Sequence, residues 1–305
     1  MNGKKITVVI PCYNQTALLE RNLRYLERQT YKDFDIVILD DKSSEDYPEI
    51  LSKFPNLDII YKRNEENLGA MGNIFNSIFY ETDSPYKISL HEDDVLHPEY
   101  IEKSVQILDA RADAVFVCSL AEWFKNDAEL TKKYSKLGSI GQTEQLDKAG
   151  FIRKILDGRH IMWSSVVYRN AGLKKIQDME KYDVFCDRPF LSSLIGSATI
   201  ILIDEPVMLT RDHGIDDTRF KNITEEDCFN LLNFYRENLP RPLSRSDSKK
   251  MLSYSTNFLM YTHPGIVGRK MSYGRFLRTG HELGLVRLRY VRILGIVGML
   301  KAIFG

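Results

Sequence analysis

The chain has 305 residues, with 42 basic side chains balanced by 42 acidic ones. A formal charge of zero excludes a global field that would recruit nucleic acid, and the length allows one large domain or a domain with an appendage. Four cysteines at positions 12, 118, 186 and 228 form neither a CxxC pair nor a zinc-like spacing, so a reduced, cytoplasmic compartment is expected. The first residues lead straight into a strand pattern, and no window reaches the length of a spanning helix. Neither a secretory leader nor a membrane span is therefore expected.

Residues 6–11, ITVVIP, are an uninterrupted β-branched apolar run, the pattern of a fully buried strand. Cys12, Tyr13 and Asn14 then form a turn before a helical pattern of Leu18, Leu19, Leu23 and Leu26. The run DFDIVILDDKSSED reads as a second buried strand ending in Asp40 and Asp41. A third strand, LDIIYKR, precedes NEENLGAMGNIFNSIFY, where Asn67 and Gly69 mark a turn into another helix. The fourth strand, YKISL, runs into Glu92, Asp93 and Asp94. Strands alternating with helices imply a parallel sheet, and ligands of such sheets sit at the carboxyl ends of the strands. Residues 11–14, 40–43 and 92–94 should therefore line one crevice.

Three successive carboxylates repel one another, so the acidic triplet calls for a neutralising partner. Mg2+ or Mn2+ is the natural one, because a hard cation takes one or two carboxylates and fills its other positions with water and substrate phosphate. A solvated acidic turn is the alternative for a triplet met alone; its place at a strand end favours the cation. Beyond it, a helix is expected over residues 98–110 and a strand over 114–120. The polar stretch from Glu122 to Thr143 suits a mobile loop over a site or an ordinary surface excursion. LDKAGFIRKILDG reads as a helix, HIMWSSVVYR as a strand, and KYDVFCDRPFLSSLIG as a helix with Asp187 on its first turns. ATIILIDEPVMLTRDHG supplies two short strands broken by Pro206 and ends in Arg211, Asp212 and His213.

From about Thr224 the pattern is helical. Between Arg269 and Lys301 eight lysines and arginines face the single Glu282, and an apolar tail follows. This fits a helix lying on an anionic membrane surface, with packing on the catalytic domain or across a homodimer as the alternative. The tail holds more apolar residues than one helix face needs, which favours the membrane.

The blocks ITVVIPCYN, QTYKDFDIVILDDKSSED, NEENLGAMGN and LHEDD, in this order and spacing, resemble a family 2 glycosyltransferase of the GT-A fold. The resemblance implies an α/β, Rossmann-like, mostly parallel sheet flanked by helices, with the basic helical C-terminal extension left unmatched. It divides the chain into a catalytic domain over 1–220, with a nucleotide half to about 110 and an acceptor half after it, and an extension over 221–305. It further implies transfer of a sugar, with inversion, from a nucleoside diphosphate sugar to an acceptor hydroxyl. A UDP-sugar is the expected donor, and a saccharide or lipid-linked saccharide of a bacterial surface polysaccharide the expected acceptor. The place would be the cytoplasm, or the inner face of the membrane.

By the same resemblance Pro11 and Tyr13 border the nucleobase, Asp41 accepts a hydrogen bond from it, and Asp40 stands beside it. Asn14, Asn67, Gly69 and Asn73 complete the nucleotide-sugar set. Asp93 lies nearest ribose and metal, Asp94 ligates the metal directly, and Glu92 is a neighbour. His91 stands where the family often has Asp. Asp187 resembles the family's base, with Asp183 as second choice and Cys186 replacing an acidic residue. RDH resembles the R-x-H element, in which His213 reaches metal or diphosphate and Arg211 holds charge. A nucleotidyltransferase shares this architecture, but no glycine-rich, basic signature follows the first strand. A non-catalytic nucleotide-sugar binding protein is the other alternative.

Overall fold

The computed structural model describes residues 4–176, 179, 182, 185–212 and 225–254. It divides into two compact units, the first made of Met1–Asp147, His160–Lys175 and Ser197–His213, the second of Lys148–Arg159, Ile176–Gly196 and Gly214–Gly305.

The first unit opens with β1 (Ile6–Cys12), every residue of which is buried, followed by α1 (Thr16–Leu26), β2 (Phe34–Asp40), α2 (Tyr47–Leu51), β3 (Ile59–Arg63), α3 (Gly69–Ile78) and β4 (Tyr86–Ser89). β1 pairs in parallel with β2 on one side and β4 on the other, and β3 pairs in parallel with β2. Uninterrupted apolar runs form the central strands because both faces are covered: Ile6, Val8, Ile10, Ile36 and Ile38 pack with Leu19 and Leu23 of α1 on one face. Val9, Val37 and Leu39 occupy the other. The chain order reverses between β1 and β4, so a crevice opens at their carboxyl ends.

The rest of the unit adds β5 (Val95–Leu96), α4 (Tyr100–Ala110), β6 (Ala114–Phe124), α5 (Asp127–Tyr134), β7 (Thr143–Leu146), β8 (Val167–Arg169) and β9 (Thr199–Arg211). The sheet order is β3-β2-β1-β4-β8-β6-β9-β5, with β7 also on β9. β1, β2, β3, β4, β6 and β9 share one direction, while β5, β7 and β8 run against it. The architecture is thus the expected α/β, mostly parallel sheet.

Three expected elements differ. The stretch from Glu122 to Thr143 is not one loop: β6 continues through Phe124, and α5 follows with Asn126 capping it by accepting from the Glu129 amide at 3.0 Å. Leu130 packs there with Phe124, Val95 and Leu209. HIMWSSVVYR is a strand only over Val167–Arg169, because Trp163–Ser165 form a tight helical turn whose serines bond inward. The two strands expected around Pro206 are one, β9. Its register against β6 shifts on both sides of the Leu120 and Pro206 pair, and a bulge accommodates a residue that cannot donate to the ladder.

The second unit contains α6 (Lys148–Leu156), α7 (Asp187–Ile195), α8 (Glu225–Asn238) and α9 (Arg245–Tyr254). Arg153 donates to both oxygens of Asp247 at 2.8 and 3.1 Å, joining α6 to α9. The boundary expected near residue 220 and the basic stretch over 269–305 lie outside the described residues.

One buried charge makes stability depend on pH. Lys87, in β4, is 3% exposed and donates to the Tyr80 carbonyl at 2.6 Å. Burial lowers its pKa from 10.5 to about 8. Between these values the unfolded chain holds the proton and the folded one has released it, so stability rises with pH across the window. The full cost, about 3 kcal/mol, applies below pH 8. Lys87→Met is expected to raise the free energy of unfolding at neutral pH and to flatten that rise. Urea melts across the window would refute this if the wild-type slope persisted in the variant.

Candidate active site

The carboxyl ends of β1 and β2 are tied into one rigid rim. Cys12 and Asp40 are register partners, and the Asp41 amide donates to the Cys12 carbonyl at 2.9 Å. Asn14 adopts a positive φ of 52°, a conformation its short polar side chain tolerates. Its Oδ1 accepts from the Ser44 amide and hydroxyl at 2.8 and 3.0 Å, while its own amide donates to Ser43 Oγ at 3.0 Å. Pro11 is buried within β1. Tyr13, by contrast, leaves 48% of its surface exposed at the mouth of the crevice.

The paired aspartates have different tasks. Asp40 is wholly buried and saturated by its own fold: Oδ1 accepts from the Ser43 amide at 2.8 Å, and Oδ2 from Tyr61 at 2.6 Å and Arg63 at 3.0 Å. Asp41 uses Oδ1 to accept from Asn64 Nδ2 at 2.9 Å and the Leu68 amide at 2.8 Å. Asn67 bridges to the Asp41 carbonyl at 2.9 Å and accepts from the Gly69 amide at 3.0 Å. Gly69 starts α3 with a φ of +72°, which a side chain would strain. Buried Asn73 holds the Leu39 carbonyl at 2.9 Å and accepts from Asn64 at 3.1 Å. This network aims the amino end of α3, with its partial positive charge, at the rim.

At the end of β4 the three acidic residues separate. Glu92 is a strut: Oε1 accepts from the Tyr13 amide at 3.2 Å and Oε2 from the Tyr47 hydroxyl at 3.1 Å. Burial pushes its carboxyl up to about 7. Asp93 and Asp94 instead converge with His91, each offering a ligand atom within 4.8 Å of the others. His91 Nδ1 lies 3.8 Å from Asp94 Oδ2. Asp94 is only 1% exposed; the Ser164 hydroxyl donates to its Oδ2, whereas its buried Oδ1 takes no hydrogen bond among the described residues. Burial and the neighbouring Asp93 charge raise its pKa, against the downward pull of the Ser164 and Thr210 hydroxyls and the Arg211 backbone. An orphaned carboxylate oxygen, a second carboxylate and an imidazole fit a divalent cation.

β5 pairs with Met208 and Leu209 of β9, which brings the end of β9 to this corner. Arg211 closes β9 opposite Phe124. His213 and Asp183 lie outside the described residues. Asp187 begins α7 in the second unit; its Oδ1 stands 3.8 Å from Arg188 Nη1, with the side chain 19% exposed. Burial raises the Asp187 pKa and the Arg188 charge opposes that rise.

Several residues that build the corner escaped sequence reasoning. Asn22 donates to the carbonyls of His91 and Asp94 at 3.1 and 2.7 Å, and Arg21 donates to the Asp93 carbonyl at 2.9 Å. The signal was available for Asn22, a polar side chain on the leucine face of α1. Ser164, Thr210 and Asn64 gave none, because each meets its partner only through the sheet topology.

A mostly parallel α/β sheet whose carboxyl edge carries such an acidic corner is the arrangement of the GT-A fold. Residues 7–176 match the profile of glycosyl transferase family 2, and the chain belongs to that family. The amylovoran biosynthesis glycosyltransferase AmsB of Erwinia amylovora is 29% identical over 191 residues, 60% of this chain and 61% of that protein. The GalNAc(5)-diNAcBac-PP-undecaprenol beta-1,3-glucosyltransferase of Campylobacter jejuni is 26% identical over 157 residues, 50% of this chain and 49% of that protein. The matches thus span about half to three-fifths of these relatives' lengths. The crystal structure of S. aureus TarS 1-349 in complex with UDP shares the fold, with a TM-score of 0.61 and 18% identity over 95% of this chain and 87% of that one.

Proposed function

We propose that the chain is an inverting glycosyltransferase that moves a sugar from a nucleoside diphosphate sugar, with a UDP-sugar as donor, to an acceptor hydroxyl in bacterial surface polysaccharide synthesis. The observation that carries this reading is the meeting of His91, Asp93 and Asp94 within 4.8 Å, on the edge shared with Asp41 and Tyr13. Tyr13 offers its exposed ring to the base, Asp41 accepts from the base, and Asp93 faces ribose. Asp93, His91 and Oδ1 of Asp94 would hold a divalent cation, which supplies positive charge to the departing diphosphate. Arg211 adds to that charge where it helps most, in the transition state. Asp187 accepts the proton of the attacking hydroxyl, and a single displacement inverts the anomeric carbon. An acceptor that is a saccharide on a lipid carrier suits the basic segment over 269–305 acting at a membrane surface. Among the described residues no helix is long and apolar enough to cross a membrane.

Product analysis tests this. Incubated with a panel of nucleotide sugars, Mn2+ and a mixture of free and lipid-linked saccharide acceptors, the full chain is expected to release nucleoside diphosphate. Sugar 1-phosphate as the product, which needs cleavage within the diphosphate, or no release from any donor, would refute glycosyl transfer.

A further inference from the structure

We propose that Trp123 is the stacking platform for the acceptor saccharide, an inference that rests on the glycosyl-transfer reading above. Trp123 is the penultimate residue of β6 and is 41% exposed, one of four large apolar side chains open to solvent among the described residues. Single exposed apolar groups are common and need no explanation by themselves. Three further observations separate this one from a stray surface residue.

The first is its face of the sheet. Trp123 is the register partner of Thr210, and Ala121 that of Met208; partners in adjacent strands project from the same face. On that face the Thr210 hydroxyl acts on Asp94, and Ser164 contacts both Met208 Sδ and Asp94. The alternate residues, Phe124 and Leu209, turn the other way into a closed apolar cluster. The indole therefore shares its face with the acidic corner.

The second is order along the carboxyl edge. In the sequence of strands β1, β4, β8, β6, β9, Tyr13 follows β1, the acidic corner follows β4, and Trp123 lies in β6 one residue before its end at Phe124. An in-line displacement needs the acceptor hydroxyl and the departing diphosphate on opposite faces of the donor's anomeric carbon, so the acceptor lies across the donor sugar from the nucleotide. With the nucleotide assigned to the β1 side, the β6 side is left for the acceptor.

The third is rigidity. His160 meets the indole edge-on at 4.8 Å and 76°, the Ala121 amide holds the His160 carbonyl at 2.9 Å, and Lys133 Nζ donates to the Trp123 carbonyl. A fixed indole loses little freedom on binding. It presents one apolar face beside the Thr210 hydroxyl and the His160 ring. A pyranose matches that arrangement, with C–H groups on one face and hydroxyls around its rim.

The test uses the full chain. It contains two tryptophans, so Trp163→Phe leaves Trp123 as the sole indole reporter. With UDP present, that variant is titrated with methyl β-glycosides of glucose, galactose, N-acetylglucosamine and N-acetylgalactosamine. A saturable emission change with at least one glycoside is expected. In calorimetry Trp123→Ala should weaken that glycoside about tenfold, equivalent to about 1.4 kcal/mol, and Trp123→Phe should restore most of the loss. Flat emission across the panel, or unchanged glycoside affinity in Trp123→Ala, overturns the platform. If UDP binds and the glycosides do not, the platform alone fails; if neither UDP nor any nucleotide sugar binds, the glycosyltransferase reading fails with it.

Discussion

Asp187→Asn is expected to lower sugar transfer by about a hundredfold to ten-thousandfold, the range that removal of a general base produces. The substitution keeps the shape of the side chain and removes its ability to take a proton. An ordinary structural role for Asp187 has a different signature. A carboxylate on the first turn of α7 beside Arg188 gains from the helix dipole only about 0.3–1 kcal/mol. A dipole partner would therefore reveal itself as a small fall in melting temperature with turnover intact. The base role also fixes the sign of the pH profile. A base works only when deprotonated, so the rate should climb with pH through the Asp187 pKa, and burial places that climb above the usual aspartate range. In Asp187→Asn the acid limb should vanish along with the rate, while calorimetry should show donor affinity close to wild type. Normal turnover with an unaltered acid limb would move the base to another residue.

What the sequence discloses here, and what it hides, follows from how local each signal is. β1, β2 and β4 are legible because strands covered on both faces must be apolar without interruption, and acidic residues directly after such runs have to lie at one edge of a parallel sheet. α5 is illegible because Leu130 is its one buried residue, too few for a helical period. Pro206 misleads for a similar reason: a proline argues against a central strand, and only the pairing shows that it sits at a bulge. The acidic corner was found from its spelling, yet its members divide the work through contacts many residues away. Glu92 bonds to Tyr13 and Tyr47, whereas Asp93 and Asp94 join His91. His91, a departure from the family's usual residue in sequence, becomes a member of the cluster in space. Asp40 and Asp41 look equivalent in the string, and only the folded rim assigns saturation to one and a place beside Asn64 and Leu68 to the other.

That division yields the second large effect. Asp40→Ala should destabilise the first unit by about 3 kcal/mol, because a buried Ser43 amide and the Tyr61 hydroxyl lose their acceptor at once. The ion pair itself contributes less. Arg63 keeps 46% of its side chain in solvent and can recover water when the carboxylate goes, so Arg63→Met should cost under about 1 kcal/mol. Asp40→Asn should fall between, since an amide oxygen still accepts from Ser43 but its NH2 group then faces Arg63 in place of a negative charge. The consequence reaches the nucleotide. Asp41 is the next residue, and the Asn64 amide that donates to the Asp40 carbonyl at 2.8 Å belongs to the residue whose side chain positions the Asp41 carboxylate. Loosening this turn should therefore weaken UDP binding even where the variant is still folded. Chemical denaturation and UDP titration on the three variants separate the two readings. A ranking of Ala, then Asn, then Met in both stability loss and UDP affinity loss is expected. Should Arg63→Met prove as damaging as Asp40→Ala, the salt bridge would be the main prop of the rim and the hydrogen-bonded turn would not.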